Sequence, residues 1–257
     1  MKRKKTAIIL LVLVVLIGAA AFVGYTFFKV EAITVVGNQR YSAEEIINLA
    51  GLQYEQNIFM VNEGDVAGNI NTSPVLVYEK LERRYPNEMI LYVHERQERA
   101  YVQYLDSILV VDEEAYITET GTQAKEGIPS VTGVNVVSFQ LGSELQAADP
   151  YQIKTLKALM EALLDNPLDV VDINIMDPSN LLLVLQDGTN VKLGNIDAVS
   201  DKLRRVSDIY EVLRQQGKTG GVLDVTGERG GSYMPDVPEP VVSPSPMMDP
   251  EQGEEDR

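Results

Sequence analysis

The sequence predicts an α+β protein in which one membrane-spanning helix precedes two folded units, each mixing helices with strands. Three observations carry that prediction. A run of 22 uncharged residues, Ala7 to Phe28, stands one residue behind Lys2-Arg3-Lys4-Lys5. Between residues 30 and 96, β-branched runs flank two short capped amphipathic segments. Between residues 100 and 226, short strand-like runs are interrupted by two longer helical stripes.

As a helix the apolar run spans roughly 33 Å at about 1.5 Å per residue, matching a hydrocarbon core of about 30 Å. Ala19-Ala20-Ala21 offers a signal-peptidase site, but the apolar run continues past it through Phe22, Val23, Tyr25, Phe27 and Phe28, as in an uncleaved anchor. The four cations favour a cytoplasmic N-terminus, so residues 29–257 are expected on the far side of the cell membrane. Tyr25, Phe27 and Phe28 then fall near the outer interface as aromatic anchors.

Composition narrows the function classes. The formal net charge is −16, and the first six residues carry +4, which leaves −20 for the remainder. Such a surface repels nucleic acid and argues for a protein partner or for none. The chain has no cysteine, which excludes disulfides, thiolate nucleophiles and Cys-based metal sites.

Val30 to Val36 reads as a strand ended by the turn pair Gly37-Asn38. Ser42-Ala43-Glu44-Glu45 is a capping box; Ile46, Ile47, Leu49 and Ala50 follow, and Gly51 closes the helix. A second short helix runs from a cap at Asn62 to Ile70. Strands Val75 to Glu82 and Glu88 to Arg96 are joined by Arg84-Tyr85-Pro86-Asn87, giving the order β-α-α-β-β. Further strands are expected at 100–105, 108–111 and 115–118. Asp149-Pro150 opens a helix whose buried stripe is Ile153, Leu156, Leu159, Met160 and Leu163. Strands at 170–175, 181–186 and 189–193 follow, the last two joined by the hairpin pair Asp187-Gly188. An amphipathic helix covers 197–216, with Lys202, Arg204, Arg205 and Arg214 assigned to its polar side, and Gly221 to Thr226 forms a final strand. The expected divisions are 1–6 cytoplasmic head, 7–28 anchor, 29–99 first domain, 100–226 β domain and 227–257 tail. Residues 234–257 hold six of the twelve prolines and seven acidic residues against one Arg, so the tail is expected to be disordered.

This arrangement resembles the FtsQ/DivIB family of bacterial division proteins. The residues that carry the likeness are Val35-Val36-Gly37-Asn38, Ser42 to Ile46, Gly51, Asn57-Ile58-Phe59, Pro74, Arg84 to Asn87, Met89, Leu91, Val93 to Arg96 and Ala100. In the second domain they are Leu109 to Asp112, Ile128-Pro129, Leu181 to Leu185, Asp187-Gly188, Val191 to Gly194 and Val222 to Asp224. Two positions depart from the family pattern. Glu98 stands where Pro is common and is expected to expose a charge between the domains, and Glu114 replaces a hairpin Gly. The resemblance implies a POTRA domain, then a mixed β-sheet domain with two helices. It further implies a non-enzymatic bitopic scaffold at the division septum that binds coiled-coil partners of FtsB/DivIC and FtsL type. Through them it would reach the septal peptidoglycan synthase and its penicillin-binding partner, with no cofactor.

The residues themselves offer little chemistry. His94 is the only histidine and lies in a predicted strand without a nucleophile elbow, so a surface strand residue is the favoured reading over a catalytic one. Asp112-Glu113-Glu114 lacks the pattern of a calcium loop, and Gly217-Lys218-Thr219 follows a helix rather than preceding one, so it reads as a helix stop. Arg83, Arg84 and Tyr85 form a basic tip, weighed between a POTRA contact with a partner or headgroups and a plain hairpin whose Arg stems cover apolar surface. The sharpest candidate is the last strand. Gly221, Val222, Leu223, Asp224, Val225 and Thr226 are expected at a sheet edge open to strand addition, with Tyr233 as an aromatic anchor beyond it. The competing reading has the tail fold back over that edge. Two other function classes stand beside the scaffold: a POTRA peptide-binding or chaperone module of an envelope export or assembly system, and a membrane-anchored wall enzyme.

Overall fold

The computed structural model describes residues 2–236. Helix α1 (Lys2–Phe27) contains one segment, Ile9–Phe27, long and apolar enough to cross a membrane. The first unit follows as β1 (Ala32–Val36), α2 (Ala43–Ala50), α3 (Glu63–Ile70), β2 (Leu76–Arg84) and β3 (Glu88–Glu95). Its sheet has the order β1-β3-β2, with β1 parallel to β3 and β2 antiparallel to it. Local chemistry fixes the helices as the sequence predicts. Ser42 and Glu45 make the reciprocal capping box, Gly51 ends α2 in the left-handed region at φ 72°, and Asn62 caps α3. Ile46, Ile47, Ile58, Ile70, Met89 and Leu91 form the core between these helices and the sheet. Gly37 has φ 98°, and a Cβ there would lie 1.9 Å from the Val93 carbonyl oxygen, so the turn after β1 crosses β3 at a distance only glycine permits.

The second unit contains β4 (Ala100–Tyr104), β5 (Ser107–Val111), β6 (Ile117–Gly121), β7 (Ser130–Thr132), β8 (Val136–Ser138), β9 (Gln146–Ala147) and α4 (Pro150–Asp165). It continues with β10 (Val170–Asn174), β11 (Leu181–Leu185), β12 (Asn190–Gly194), α5 (Val199–Gln215), β13 (Val222–Asp224) and β14 (Ser232–Met234). Nine of these strands make one sheet in the order β14-β13-β12-β11-β10-β7-β4-β5-β6, while β8 and β9 pair separately. Helices α4 and α5 pack against each other, α4 also on β9 and α5 on β12. Their apolar stripes, Ile153, Leu156, Leu159 and Met160 on one and Val199, Leu203 and Val206 on the other, share a core with Leu109, Ile173, Leu183, Val191 and Leu223. Asp149 caps α4 with Pro150 at its first turn, as expected.

Four expectations are corrected here. Ser232–Met234 is a strand, so residues 227–236 are not a disordered tail; the expected disorder of 237–257 lies outside the described residues. Strand β13 is not an edge, because β14 pairs with it in the antiparallel register Val222↔Met234, Leu223↔Tyr233 and Asp224↔Ser232. Lys202 is not on a polar face. It is buried, and its ammonium donates to the Asn195 carbonyl at 2.8 Å and to Asn195 Oδ1 at 2.9 Å. Glu98 is mostly shielded rather than a bare charge, paired with Lys125 at 2.9 Å and Arg40 at 3.4 Å.

That last pairing belongs to a braced junction between the two units. Arg96 pairs with the buried carboxylate of Asp112 and lies 3.8 Å from the Tyr116 ring centroid. The tight turn at Glu114 forms without glycine because Asp112 Oδ1 accepts from the Glu114 and Tyr116 N–H groups, and Ala115 takes the left-handed conformation at φ 60°. Immediately before the junction, Glu95 is buried and accepts N–H bonds from Gln39, Arg40 and Tyr41 at 2.8, 2.9 and 3.1 Å. Burial pushes the Glu95 pKa up, but the three backbone donors outweigh it and hold the carboxyl below the usual carboxylate range.

Glu95→Ala is expected to cost about 2–3 kcal/mol by orphaning those donors. Because the folded pKa is depressed, the Glu95 contribution is complete above the unfolded value near ~4.3 and fades as pH falls toward the folded value. Denaturant unfolding should therefore show a gap between native chain and variant that is constant at neutral pH and narrows below about pH 4.

Candidate functional edge of the β sheet

The nine-stranded sheet has two ends. At one, the start of β6 is covered by the preceding-helix loop: Ile117 N–H donates to the Ser143 carbonyl at 3.0 Å, and Gly142 N–H donates to the Ile117 carbonyl at 2.8 Å. At the other, β14 has no strand on its outer side among the described residues. An edge of this kind presents unpaired N–H and C=O groups to any extended segment that approaches.

Strand β14 is held in place by backbone geometry and one guanidinium. Gly221 has φ 79°, and a Cβ on it would lie 2.4 Å from the Met234 carbonyl oxygen and 3.0 Å from Pro235 Cα. Only glycine allows β14 to return this closely, and the Gly221 N–H then donates to Asp236 Oδ2 at 3.0 Å. The turn between β13 and β14 is clasped by Arg205 from α5, whose Nη1 donates to the carbonyls of Gly227 at 2.8 Å and Gly230 at 3.0 Å, and whose Nη2 reaches Val225 at 3.4 Å. Gly231 sits where a Cβ would meet Ile209 Cδ1 at 2.7 Å, so the turn lies tight on the helix. At the start of the turn, the Thr226 N–H and hydroxyl donate to Asp224 Oδ1 at 3.0 and 2.7 Å and hold that carboxyl below its ordinary pKa.

Tyr233 is half-buried against the core, and its hydroxyl donates to the Gly220 carbonyl at 3.1 Å, so its ring seats the strand. Ser232 and Met234 flank it as the exposed residues of β14. The predicted edge residues Val222, Leu223 and Asp224 therefore form the second strand in. Leu223 and Val225 are core, and the Val225 N–H donates inward to the Lys192 carbonyl at 3.0 Å. Proline at 225 would break the β12–β13 ladder and test folding rather than capture. Sequence reasoning missed Arg205, Ser232 and Met234. Tyr233, expected as an aromatic anchor beyond the last strand, lies within β14, and the competing expectation that the tail folds back over that edge matches the β13–β14 pairing.

The other predicted contact, Arg83-Arg84-Tyr85, is not a free basic tip. Arg83 donates to the Val61 carbonyl at 2.8 Å and the Ile58 carbonyl at 3.4 Å, and Arg84 pairs with Glu82 at 2.9 Å. Tyr85 is exposed and stacks on Phe59, with ring centroids 5.2 Å apart. His94 is an exposed residue of β3, and Gly217 at φ 68° ends α5.

Residues 28–96 match the family described as POTRA domain, FtsQ-type, and residues 100–226 match cell division protein FtsQ/DivIB, C-terminal. The cell division protein DivIB of Clostridium botulinum (strain Hall) is 25% identical over 230 residues, covering 88% of this chain and 90% of that protein. The cell division protein FtsQ of Syntrophotalea carbinolica is 26% identical over 196 residues, covering 73% of this chain and 67% of its own length. The major extracytoplasmic domain of DivIB from Geobacillus stearothermophilus aligns over 47% of this chain and 96% of that domain at 17% identity, with a TM-score of 0.32.

Arg205→Ala is expected to release the β13–β14 turn while leaving the core intact. Limited proteolysis should cut the variant several-fold faster within Gly227 to Gly231, with a loss of global stability of only about 1–2 kcal/mol. Unchanged cleavage there would contradict the clasp.

Proposed function

The chain belongs to the FtsQ/DivIB family of bacterial cell division proteins, and from that premise we propose that it is a non-enzymatic bitopic scaffold of the division septum. In this reading α1 crosses the cell membrane with its N-terminus in the cytoplasm, residues 29–99 form the POTRA domain, and residues 100–226 together with β14 form the β domain. The outer edge of β14 captures an extended segment of a membrane-proximal coiled-coil partner of FtsB/DivIC type, which arrives with a partner of FtsL type. Through that pair the protein controls where and when the septal peptidoglycan synthase and its penicillin-binding partner act. Its mechanism is assembly through binding free energy, with no bond made or broken by its own residues.

The observation that carries this reading is the open, pre-seated β14. Strand addition draws affinity from main-chain hydrogen bonds and specificity from alternate side chains. An edge already fixed by Gly221 and Arg205 loses little conformational entropy when a partner strand joins it. Tyr233 then acts as support beneath the added strand, while Ser232 and Met234 face the partner's side chains. The excess negative charge of the outer region directs it toward a protein partner and away from nucleic acid.

Gly221→Ala should lift β14 from β13. In the full-length protein this is expected to weaken binding of the purified coiled-coil pair by at least about tenfold, roughly 1.4 kcal/mol. Calorimetric titration of a variant with native circular dichroism checks it, and unchanged affinity would sink the β14 assignment. The cellular role is tested separately by a functional fluorescent fusion at the N-terminus. A midcell band before constriction is expected, whereas an even envelope signal in dividing cells would favour the POTRA peptide-binding or chaperone alternative.

A further inference from the structure

The helix α1 does not reach the first unit through a loose linker. Ile58 N–H donates to the Phe28 carbonyl, Val30 N–H to the Gln56 carbonyl and Glu55 N–H to the Val30 carbonyl, each at 2.9 Å. Lys29 pairs with Glu55 at 3.2 Å, and Asn57 Nδ2 donates to the Tyr25 carbonyl at 3.4 Å. The end of the apolar helix and the loop between α2 and α3 are thus one hydrogen-bonded piece.

Around that piece the aromatic rings gather. Phe28 lies edge-on to Phe27 at 5.4 Å and to Phe59 at 5.0 Å, and it stands 6.3 Å from Tyr85 between ring centroids. Despite this mutual contact the cluster is open on its outer side: Phe59 is 59% exposed, Tyr85 58% and the adjoining Met60 79%. Large apolar groups left this open beside the end of a membrane-spanning segment have an obvious solvent. A helix of 19 residues covers about 28 Å and nearly fills a hydrocarbon core of about 30 Å, which sets Phe27 at its boundary. The headgroup zone beyond is roughly 5–8 Å deep on each side, the same order as the ring separations from Phe28. Aromatic side chains, Tyr above all, partition into that zone because it wets the hydroxyl and shelters the ring.

We infer that the first unit rests directly on the bilayer, with Phe59, Met60 and Tyr85 inserted into the interfacial zone beside the exit of α1, so that the unit is held at a fixed orientation instead of swinging on its anchor. The inference rests on α1 crossing the membrane. The occupant of the aromatic tip is lipid. The tip carries no free cation cluster, since Arg83 and Arg84 are spent on Ile58, Val61, Glu63 and Glu82. Docking is therefore driven by ring partition and needs no anionic lipid.

The absence of cysteine makes the test clean. Single variants Leu16→Cys, Met60→Cys and Tyr151→Cys of the full-length chain, each carrying an environment-sensitive fluorophore, are placed in nanodiscs of zwitterionic lipid with and without headgroup-proximal spin-labelled lipid. The expected result is blue-shifted, lipid-quenched emission at 60, water-like unquenched emission at 151 in the β domain, and shielded emission at 16. Adding Phe59→Ser and Tyr85→Ser should abolish most of the quenching at 60 and leave 16 unchanged. A water-like signal at 60 with 16 shielded would overturn the docking while sparing the anchor. A water-like signal at 16 would overturn both. Shielding at 60 that appears only when a partner protein is added would also overturn the inference, by assigning the tip to that protein.

Discussion

The close approach of Gly221 to the Met234 carbonyl decides what this sheet presents to the outside. With any side chain at 221 the chain could not double back, and β13, with Leu223 and Val225 facing the core, would be the last strand. With glycine there, β14 covers β13, Tyr233 closes over the core, and the open row of backbone groups moves one strand outward. Arg205 completes the arrangement by satisfying the carbonyls of Val225, Gly227 and Gly230, which a turn of this length cannot pair by itself. The edge is therefore a surface the fold has already ordered at its own conformational cost, which is the condition under which a short added strand can bind with useful affinity.

Orientation is set at the end of β3. Glu95, Arg96 and Glu98 are consecutive or nearly so, and each ties the end of β3 to a different segment: the turn at 39–41, the buried Asp112, and Lys125. Burying charge at a junction is costly unless every partner is supplied, and here the partners come from both units. The first unit is in turn bonded to the end of α1. A chain of short-range constraints thus runs from the apolar helix α1 to the β sheet, so that with α1 in the membrane as proposed, a partner tethered to the same membrane would meet β14 at a restricted range of heights and angles. Such restriction raises effective concentration without any added contact.

Much of this was legible in the sequence wherever the determinants are local. The capping box at Ser42, the stop at Gly51, the Asp187-Gly188 hairpin and both helical stripes lie within a few residues of what they control, and each has its expected structure. Lys202 was legible but misassigned: it stands three residues after Val199 and four before Val206, on the buried stripe itself, and its stem is covered while Asn195 takes the ammonium. The strands at 130–132, 136–138 and 146–147 are too short to show a period of two. Strand β14 was hidden for a different reason. Ser232-Tyr233-Met234 sits between glycines and prolines, and its pairing is specified by Gly221 and Arg205, eleven and twenty-seven residues earlier in the chain. Nothing local to Glu98 signals its pairing, because its partners, Arg40 and Lys125, are likewise remote in sequence.

Amide hydrogen exchange of the protein, alone and with the proposed coiled-coil partner pair added, tests strand addition at β14 most directly. Strand addition at β14 predicts new protection concentrated on Ser232 to Met234, with little change in β13, already paired on both sides, or at β6. Protection that appears at β6 or on the first unit while β14 exchanges as before would contradict it.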